Sequence, residues 1–362
     1  MMDLTVAATP GFFGSMLAEQ RWLARRVARP ELRAGQYENR DTRANLTMGT
    51  ASLLVPLVTH RLRRHLALGA GRAAVPVAAI AAGGAVVAAG ADRLARRQRQ
   101  RSRSQAGSDT VSAFPAEQVA GVAAAVGLGA GMVVAASTWG HWLTAQRLWA
   151  HRIGDLGDGV IGWGAALVGW DFIYYWNHRF MHESRFMWAI HDVHHSSERY
   201  NLSVALRQPV ADALGTFVPY GVLSLFGVRP DLILTSRGIN LLYQYWIHTE
   251  AIRHIGPAEG ILNSPADHRV HHGTAPSSID RNHGGILSIW DRLFGTYQPE
   301  TGQQVYGLTT NLDGFSPVRI ATHEYRDIIV DITTSRSWSE RLRVVFKGPG
   351  FAIERRRQLA AA

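Results

Sequence analysis

Five of the chain's sixteen histidines fall within eighteen positions, as His178-Arg-Phe-Met-His182 and His191-Asp-Val-His194-His195. A helix puts positions three or four apart on one face, with Cβ atoms about 5–6 Å apart. His178 and His182 therefore converge on one point, as do His191, His194 and His195. The second spacing returns as His268-Arg-Val-His271-His272. Eight imidazoles gathered without a ligand would oppose one another by desolvation and mutual repulsion, whereas imidazole is the commonest metal ligand in proteins. Any fold available to this chain has to bring the three histidine segments to a common centre.

Eight nitrogen donors exceed what one ion takes, so two ions sharing them is the natural arithmetic. The chain has no cysteine, which removes disulfides, thiolate zinc sites, iron–sulfur clusters and thiol nucleophiles together. The metals must be held by nitrogen and oxygen, a set that suits iron, zinc, copper or nickel. His248, in Trp246-Ile-His248-Thr-Glu250, ends an apolar run and is a further candidate ligand; His283, in Asn282-His283-Gly-Gly, is balanced between ligand and non-ligand. His60, His65, His141, His151, His254 and His323 stand alone and read as ordinary surface or core residues.

The surroundings of these segments are apolar. Ala44–His60, Ala73–Ala91 and Val119–Thr138 carry no formal charge, and Gly159–Trp176 carries only Asp171. A hydrocarbon core of about 30 Å takes roughly 20 apolar residues as helix, so the second and third stretches span well and the first is marginal. Gly127-Leu-Gly129-Ala-Gly131 follows no strand signal and reads as small residues packing transmembrane helices, not as a dinucleotide loop. The fourth stretch runs directly into His178. Asp171, seven residues earlier, shares its helical face and is a candidate for orienting a ligand histidine, since an ionisable group in an apolar helix is functional by default. Ala213–Val228 and Leu232–Ile247, around Arg229-Pro230-Asp231, suggest a hairpin that dips into the bilayer or just crosses it.

The formal charge is +10, and every basic residue except Lys347 is arginine. The arginines cluster between apolar stretches, six of them in Asp92–Ser104, which reads as a cytoplasmic loop under the positive-inside bias; nucleic-acid binding is not indicated. The expected architecture is an all-α integral membrane helical bundle with a histidine-rich dimetal site on the cytoplasmic side of the cell membrane. Its parts are a basic N-terminal segment (1–43), transmembrane helices with basic loops (44–154), a catalytic domain (155–300) and a soluble C-terminal tail (301–362). A site facing lipid meets unactivated C–H bonds, whose cleavage calls for dioxygen and a redox metal. Zinc has no redox chemistry, so two iron ions are expected. No flavin, dinucleotide or haem signature is apparent, and the electrons must come from a separate donor. A zinc hydrolase of lipid head groups, or a non-catalytic metal-binding membrane protein, would use the same histidines.

The stretches Tyr174-Tyr-Trp-Asn-His178-Arg, His191-Asp-Val-His-His195-Ser-Ser and Tyr200-Asn201-Leu-Ser-Val-Ala-Leu-Arg-Gln208 resemble the fatty acid hydroxylase superfamily of integral-membrane di-iron oxygenases. So do Asn240-Leu-Leu-Tyr-Gln-Tyr-Trp-Ile-His248-Thr-Glu, Asn263-Ser-Pro-Ala-Asp-His268-Arg-Val-His-His272-Gly and Gly285-Ile-Leu-Ser-Ile-Trp-Asp-Arg-Leu-Phe-Gly-Thr296. The likeness is greatest to its sterol-desaturase-like and alkylglycerol-monooxygenase-like branches. It implies that His178, His182, His191, His194, His195, His268, His271 and His272 hold the metals, with His248 similar to a further family histidine. Glu183 matches an acidic position of the alkylglycerol branch and joins Asp171 as a candidate catalytic-site residue. Asp267 and His283 stand where relatives often have histidine and tyrosine. The implied reaction is hydroxylation or desaturation of a sterol, fatty acyl or ether lipid by dioxygen.

Overall fold

A computed structural model of the chain describes residues 4–26, 28–105, 115–210 and 219–361. The described residues form helices and loops, with isolated bridges but no strand, as the apolar spacing predicts. In chain order the helices are α1 (Leu4–Ala24), α2 (Asn39–Leu66), α3 (Ala74–Gln105), α4 (Pro115–Trp142), α5 (Ala145–Trp149), α6 (Val160–Glu183), α7 (Arg185–His195), α8 (Pro230–Ile247), α9 (Pro265–His271), α10 (Ile289–Phe294), α11 (Pro317–Thr334), α12 (Trp338–Phe346) and α13 (Pro349–Ala361). The chain divides into two units, one of residues 1–57, 142–182 and 190–321, the other of residues 58–141, 183–189 and 322–362.

The first unit holds all three histidine segments. Ala166 and Trp170 of α6 pack on Val228, Leu232 and Ile233 at the start of α8. Met16 of α1 packs with Leu202, Ala205 and Tyr245, and Ala44 and Met48 of α2 with Val193 and Ile320. The N-terminal helix thus buries Met16, Glu19 and Leu23 in this unit while most of its length is exposed. Of the expected hairpin, residues 211–218 lie outside the described residues. Tyr220–Phe226 form a short 3-10 helix beside α5, and the second arm is α8, begun by Pro230 at its first turn.

The second unit contains α3 and α4, which among the described residues are the two helices long and apolar enough to cross a membrane. By length and composition this pair fits the two well-matched membrane spans expected from the sequence. The first and fourth apolar stretches lie in α2 and α6, which do not reach that composition. Gly84 meets the Ala123 carbonyl and Gly127 Cα, so α3 and α4 touch through their backbones. Of the three glycines of the 127–131 run only Gly127 makes such an approach; nothing lies within 4 Å of where a Gly129 Cβ would be.

One expectation changes here. The arginine-rich segment 92–104 is helical, because alanine, arginine and glutamine favour helix and no breaker intervenes before residue 105. At 1.5 Å per residue the 32 residues of α3 reach about 48 Å, well past a hydrocarbon core of ~30 Å, so its arginines project beyond. The segment expected as a soluble tail is also packed. Ile328, Ile332, Val344 and Val345 share a core with Ala88 and Ala124. The buried guanidinium of Arg341 grips Asp92 at 2.6 and 3.0 Å. Arg185, at the start of α7, donates to Glu324 (2.6 Å) and Asp331 (2.7 Å).

Candidate metal centre

Each histidine segment is delivered by a short, well-specified helix. His178 and His182 are one turn apart on the last turns of α6, and His191, His194 and His195 end α7. The third segment is begun by a capping box. Asp267 N–H donates to Ser264 Oγ (3.1 Å), Ser264 N–H donates to Asp267 Oδ2 (3.1 Å), and Pro265 occupies the first turn. Asp267 therefore starts the helix that presents His268, His271 and His272, which is why aspartate suits this position.

The structure gathers nine buried imidazoles into two groups: His178, His182, His191, His195 and His271 in one, and His194, His248, His268 and His272 in the other. Within each group the donor nitrogens all lie within 4.8 Å of one another. The groups adjoin, with the rings of His195 and His272 stacked at 4.3 Å. Neighbouring nitrogens stand 2.9 Å apart for His178–His191, 3.1 Å for His195–His191, 3.1 Å for His248–His194 and 3.0 Å for His268–His248. Two ligands at right angles on metal–nitrogen bonds of about 2.1 Å would be about 3.0 Å apart. His271 Nε2 and His272 Nε2 are buried without a hydrogen-bond partner, a costly state for a polar atom unless a ligand takes it. The donor set and spacing are those of a metal site.

Backbone carbonyls fix which nitrogen faces inward. His178 Nδ1–H donates to the His283 carbonyl (2.9 Å), His194 to Arg207 (3.3 Å), His248 to Gln244 (2.7 Å) and His271 to Arg281 (2.8 Å). In each ring this leaves the Nε2 lone pair for the metal. His182 Nδ1 stands 3.5 Å from the Asp280 carboxylate. Burial pushes every one of the nine imidazoles below the ordinary histidine value, His178 and His248 to about 4, so they are neutral and ready to ligate at neutral pH.

The two candidate carboxylates lie elsewhere. Asp171 accepts from Ile286 N (2.7 Å), Leu287 N (3.0 Å), Trp290 Nε1 (2.9 Å) and Asn240 Nδ2 (3.1 Å). The carboxylate is spent on the loop after His283, so it touches that loop and not a ligand ring, and any orientation it gives His178 passes through the loop. Glu183 closes α6 as an exposed residue, whereas the centre is buried; the helix turn that points His182 inward points the next residue out.

Several supporting residues were not apparent from sequence. Asp291, pushed up to about 6 by burial, accepts the N–H groups of His283 (2.7 Å) and Gly284 (2.8 Å). Arg207, whose carbonyl serves His194, is buried against Asp41 and donates to Asn45 Oδ1 (2.6 Å). Buried Glu19 accepts from Thr249, from Leu202 N (2.9 Å) and from Tyr37 OH (2.6 Å), fixing the turn after His248. Tyr200 OH donates to the Ile247 carbonyl (3.1 Å). The signal that was available for Asp41 and Glu19 is their being acidic in a basic stretch.

Residues 163–296 match the family model described as fatty acid hydroxylase. Among curated proteins the chain is 46% identical over 189 residues to the alkylglycerol monooxygenase of Homo sapiens, covering 52% of this chain and 42% of that protein. It is 36% identical over 194 residues to the alkylglycerol monooxygenase of Caenorhabditis elegans, covering 53% and 37%. It is 27% identical over 191 residues to an ornithine lipid hydroxylase of Rhizobium tropici, covering 52% and 56%. The chain thus spans about two fifths of the length of these alkylglycerol monooxygenases. No solved structure matches it.

Proposed function

Taking residues 163–296 as a fatty acid hydroxylase domain, we propose that this protein is a membrane-bound di-iron oxygenase that hydroxylates a lipid. The observation that carries the reading is the pair of adjoining imidazole groups, five and four, buried and spaced as ligands. Two iron ions bound there would supply the redox chemistry that lets dioxygen attack an unactivated C–H bond, which zinc cannot supply. Overall, one C–H bond becomes C–OH, the second oxygen atom leaves as water, and a separate donor provides two electrons, matched by two protons.

The chain's own contribution is rigidity and neutral charge. Four of the rings are held by Nδ1–H bonds to backbone carbonyls, so the ligands need not reorganise on metal binding. Asp171 and Asp291 brace the loop whose carbonyl holds His178. We place the site on the cytoplasmic face of the cell membrane, where a reductant is at hand, in keeping with the arginine excess near the apolar helices.

Alkylglycerols are the first substrates to test, because relatives named for them share the segments that build the centre; fatty acyl lipids are the second. Protein purified in detergent, loaded anaerobically with ferrous iron and supplied with reductant, should convert such a lipid under ¹⁸O₂ to a product carrying one ¹⁸O. His194→Ala and His271→Ala should each abolish turnover and lower bound metal while the protein stays in the membrane fraction. Full activity in both variants, or failure of the wild type to take up iron, would overturn the reading.

A further inference from the structure

A cavity of about 210 Å³ opens in the first unit where the end of α1 meets the turn after His248, and no ligand histidine lines it. Its charged walls are Arg26, Arg29 and Arg253, together with Glu31 and Glu250. Two hydrogen-bonded turns carry the chain out of α1. Arg26 N–H donates to the Leu23 carbonyl (2.9 Å) and Arg29 N–H to the Arg26 carbonyl (3.0 Å). A three-residue turn eclipses the side chains at its ends, so Arg26 and Arg29 reach the same cavity. The Arg26 guanidinium stands over the Trp22 ring at 3.9 Å, while its Nη1 is buried without a hydrogen-bond partner. A stacked guanidinium keeps its in-plane N–H groups for an acceptor, and a buried donor left unmet is costly.

Arg253 comes from the segment after His248, and that segment is pinned. The buried guanidinium of Arg269 donates to the carbonyls of Thr249 (3.0 Å) and Ile252 (2.8 Å) and is paired with Glu300 at 2.7 and 2.8 Å. Among the described residues, Arg26, Arg29 and Arg253 form no ion pair. Of the two carboxylates, Glu250 is buried and committed, accepting from Tyr306 OH and lying 4.0 Å from Arg269. Three cations therefore face one uncommitted carboxylate, a surplus of two positive charges. A phosphate monoester carries about −1.5 to −2 near pH 7 and three strong acceptor oxygens, which matches that surplus and its donors. Sites that enclose a whole ligand run to roughly 300–1,000 Å³; this smaller one has the size for a head group.

We propose that the cavity binds a phosphate group, as free phosphate or as the phosphate monoester head of a lipid, through Arg26, Arg29 and Arg253. No iron is needed for it, so it stands apart from the di-iron reading. Glu250, on the cavity wall, holds Tyr306, whose ring stacks at 4.7 Å on Tyr200; the Tyr200 ring lies 5.2 Å from His272 and 5.8 Å from His248. Two aromatic rings thus connect the wall of the cavity to the second imidazole group.

The test is isothermal titration of the full-length protein in a phosphate-free detergent, at fixed ionic strength because exposed charges are screened. The probes are inorganic phosphate, dihexanoyl phosphatidic acid and dihexanoyl phosphatidylcholine. Phosphatidic acid should bind saturably at one site per chain, and the choline lipid at least tenfold more weakly. Free phosphate binding as tightly would assign the site to the ion; phosphatidic acid binding alone would assign it to the lipid head group. Arg29 and Arg253 are exposed, so their replacement does not threaten the fold. Arg29→Gln and Arg253→Gln should each weaken binding about tenfold or more, the scale of a lost hydrogen bond to a charged group. Glu31→Gln should tighten it about two- to fivefold. Arg97→Gln removes the same charge from an exposed position on α3, outside the cavity, and should leave binding unchanged. No saturable binding of either phosphate probe, or losses in Arg97→Gln equal to those in the cavity variants, would overturn the proposal and leave the di-iron reading standing.

Discussion

Replacing Arg207 by methionine tests whether the centre depends on a buried ion pair that contributes no ligand to it. Arg207 and Asp41 are 1% and 2% exposed, and the guanidinium also donates to Asn45 Oδ1 (2.6 Å) and Ser196 Oγ (2.8 Å). Methionine keeps much of the stem volume but leaves the Asp41 carboxylate buried without its cation. Breaking such a pair costs about 3–5 kcal/mol. Asp41 keeps bonds from Ser197 Oγ (2.8 Å) and Asn45 Nδ2 (3.2 Å), which puts the loss at the lower end, about 3 kcal/mol. At ~2–4 °C per kcal/mol for units of 150–250 residues, the Tm in detergent should fall by roughly 6–12 °C. The Arg207 carbonyl holds His194, so metal retention at the second group should weaken by about 10–100-fold. Adding Asp41→Asn removes the stranded charge and should recover at least half of the lost stability. A single variant within about 1 kcal/mol of wild type with full metal, or a double variant no better than the single, would refute the reasoning.

Acid should destabilise the metal-free protein. His178 and His248 are held at about 4 in the folded chain against ~6.5 unfolded; the unfolded state binds more protons between these values, so stability is present above pH 6.5 and is lost as pH falls toward 4. Each should cost about 2 kcal/mol by pH 5, and denaturant unfolding at pH 7 and pH 5 that gave equal stabilities would contradict the burial of neutral rings. In the loop after His283, a Cβ on Gly285 would meet Asn240 Nδ2 at 2.6 Å and Asp171 Oδ1 at 2.7 Å; Gly285→Ala and Asp171→Asn should each destabilise by about 1–3 kcal/mol and loosen metal without touching a ligand, as chelator competition would show. Gly84→Ala puts a Cβ 2.7 Å from the Ala123 carbonyl and should destabilise the helix pair by about 1–3 kcal/mol, whereas Gly129→Ala meets nothing within 4 Å and should be neutral or stabilising in the same thermal assay.

The nine histidines that the structure groups were all legible, because their signal is local: three- and four-residue spacings survive in any helix, and α6, α7 and α9 are helices. The two membrane-capable helices were legible for a like reason, being long uncharged runs. What the sequence did not show is where its charges are used. Asp171 shares the helical face of His178, but sequence cannot show that its oxygens are claimed by backbone N–H groups more than a hundred residues later. The six arginines after Asp92 read as a loop because basic clusters flank membrane spans, yet their propensity is helical and α3 continues through them. The segment after residue 321 gave no composition that distinguishes a free tail from one packed by Arg341 onto Asp92.

The parts hidden from sequence share a physical cause. An imidazole ligand needs its other nitrogen held, and here the holders are mostly backbone carbonyls, which every residue carries and no sequence pattern marks. Positioning those carbonyls falls to buried charges from distant segments. Asp41 pairs with Arg207 beneath His194, and Glu19 fixes Thr249 and Leu202 beside His248. Both acids precede residue 44, in the basic N-terminal segment. A boundary drawn from the histidines at residue 155 would therefore keep every ligand and discard two of the anchors that aim them. A fragment of residues 155–300 is accordingly expected to keep the ligand spacing within each helix while losing the convergence of the three helices on one centre.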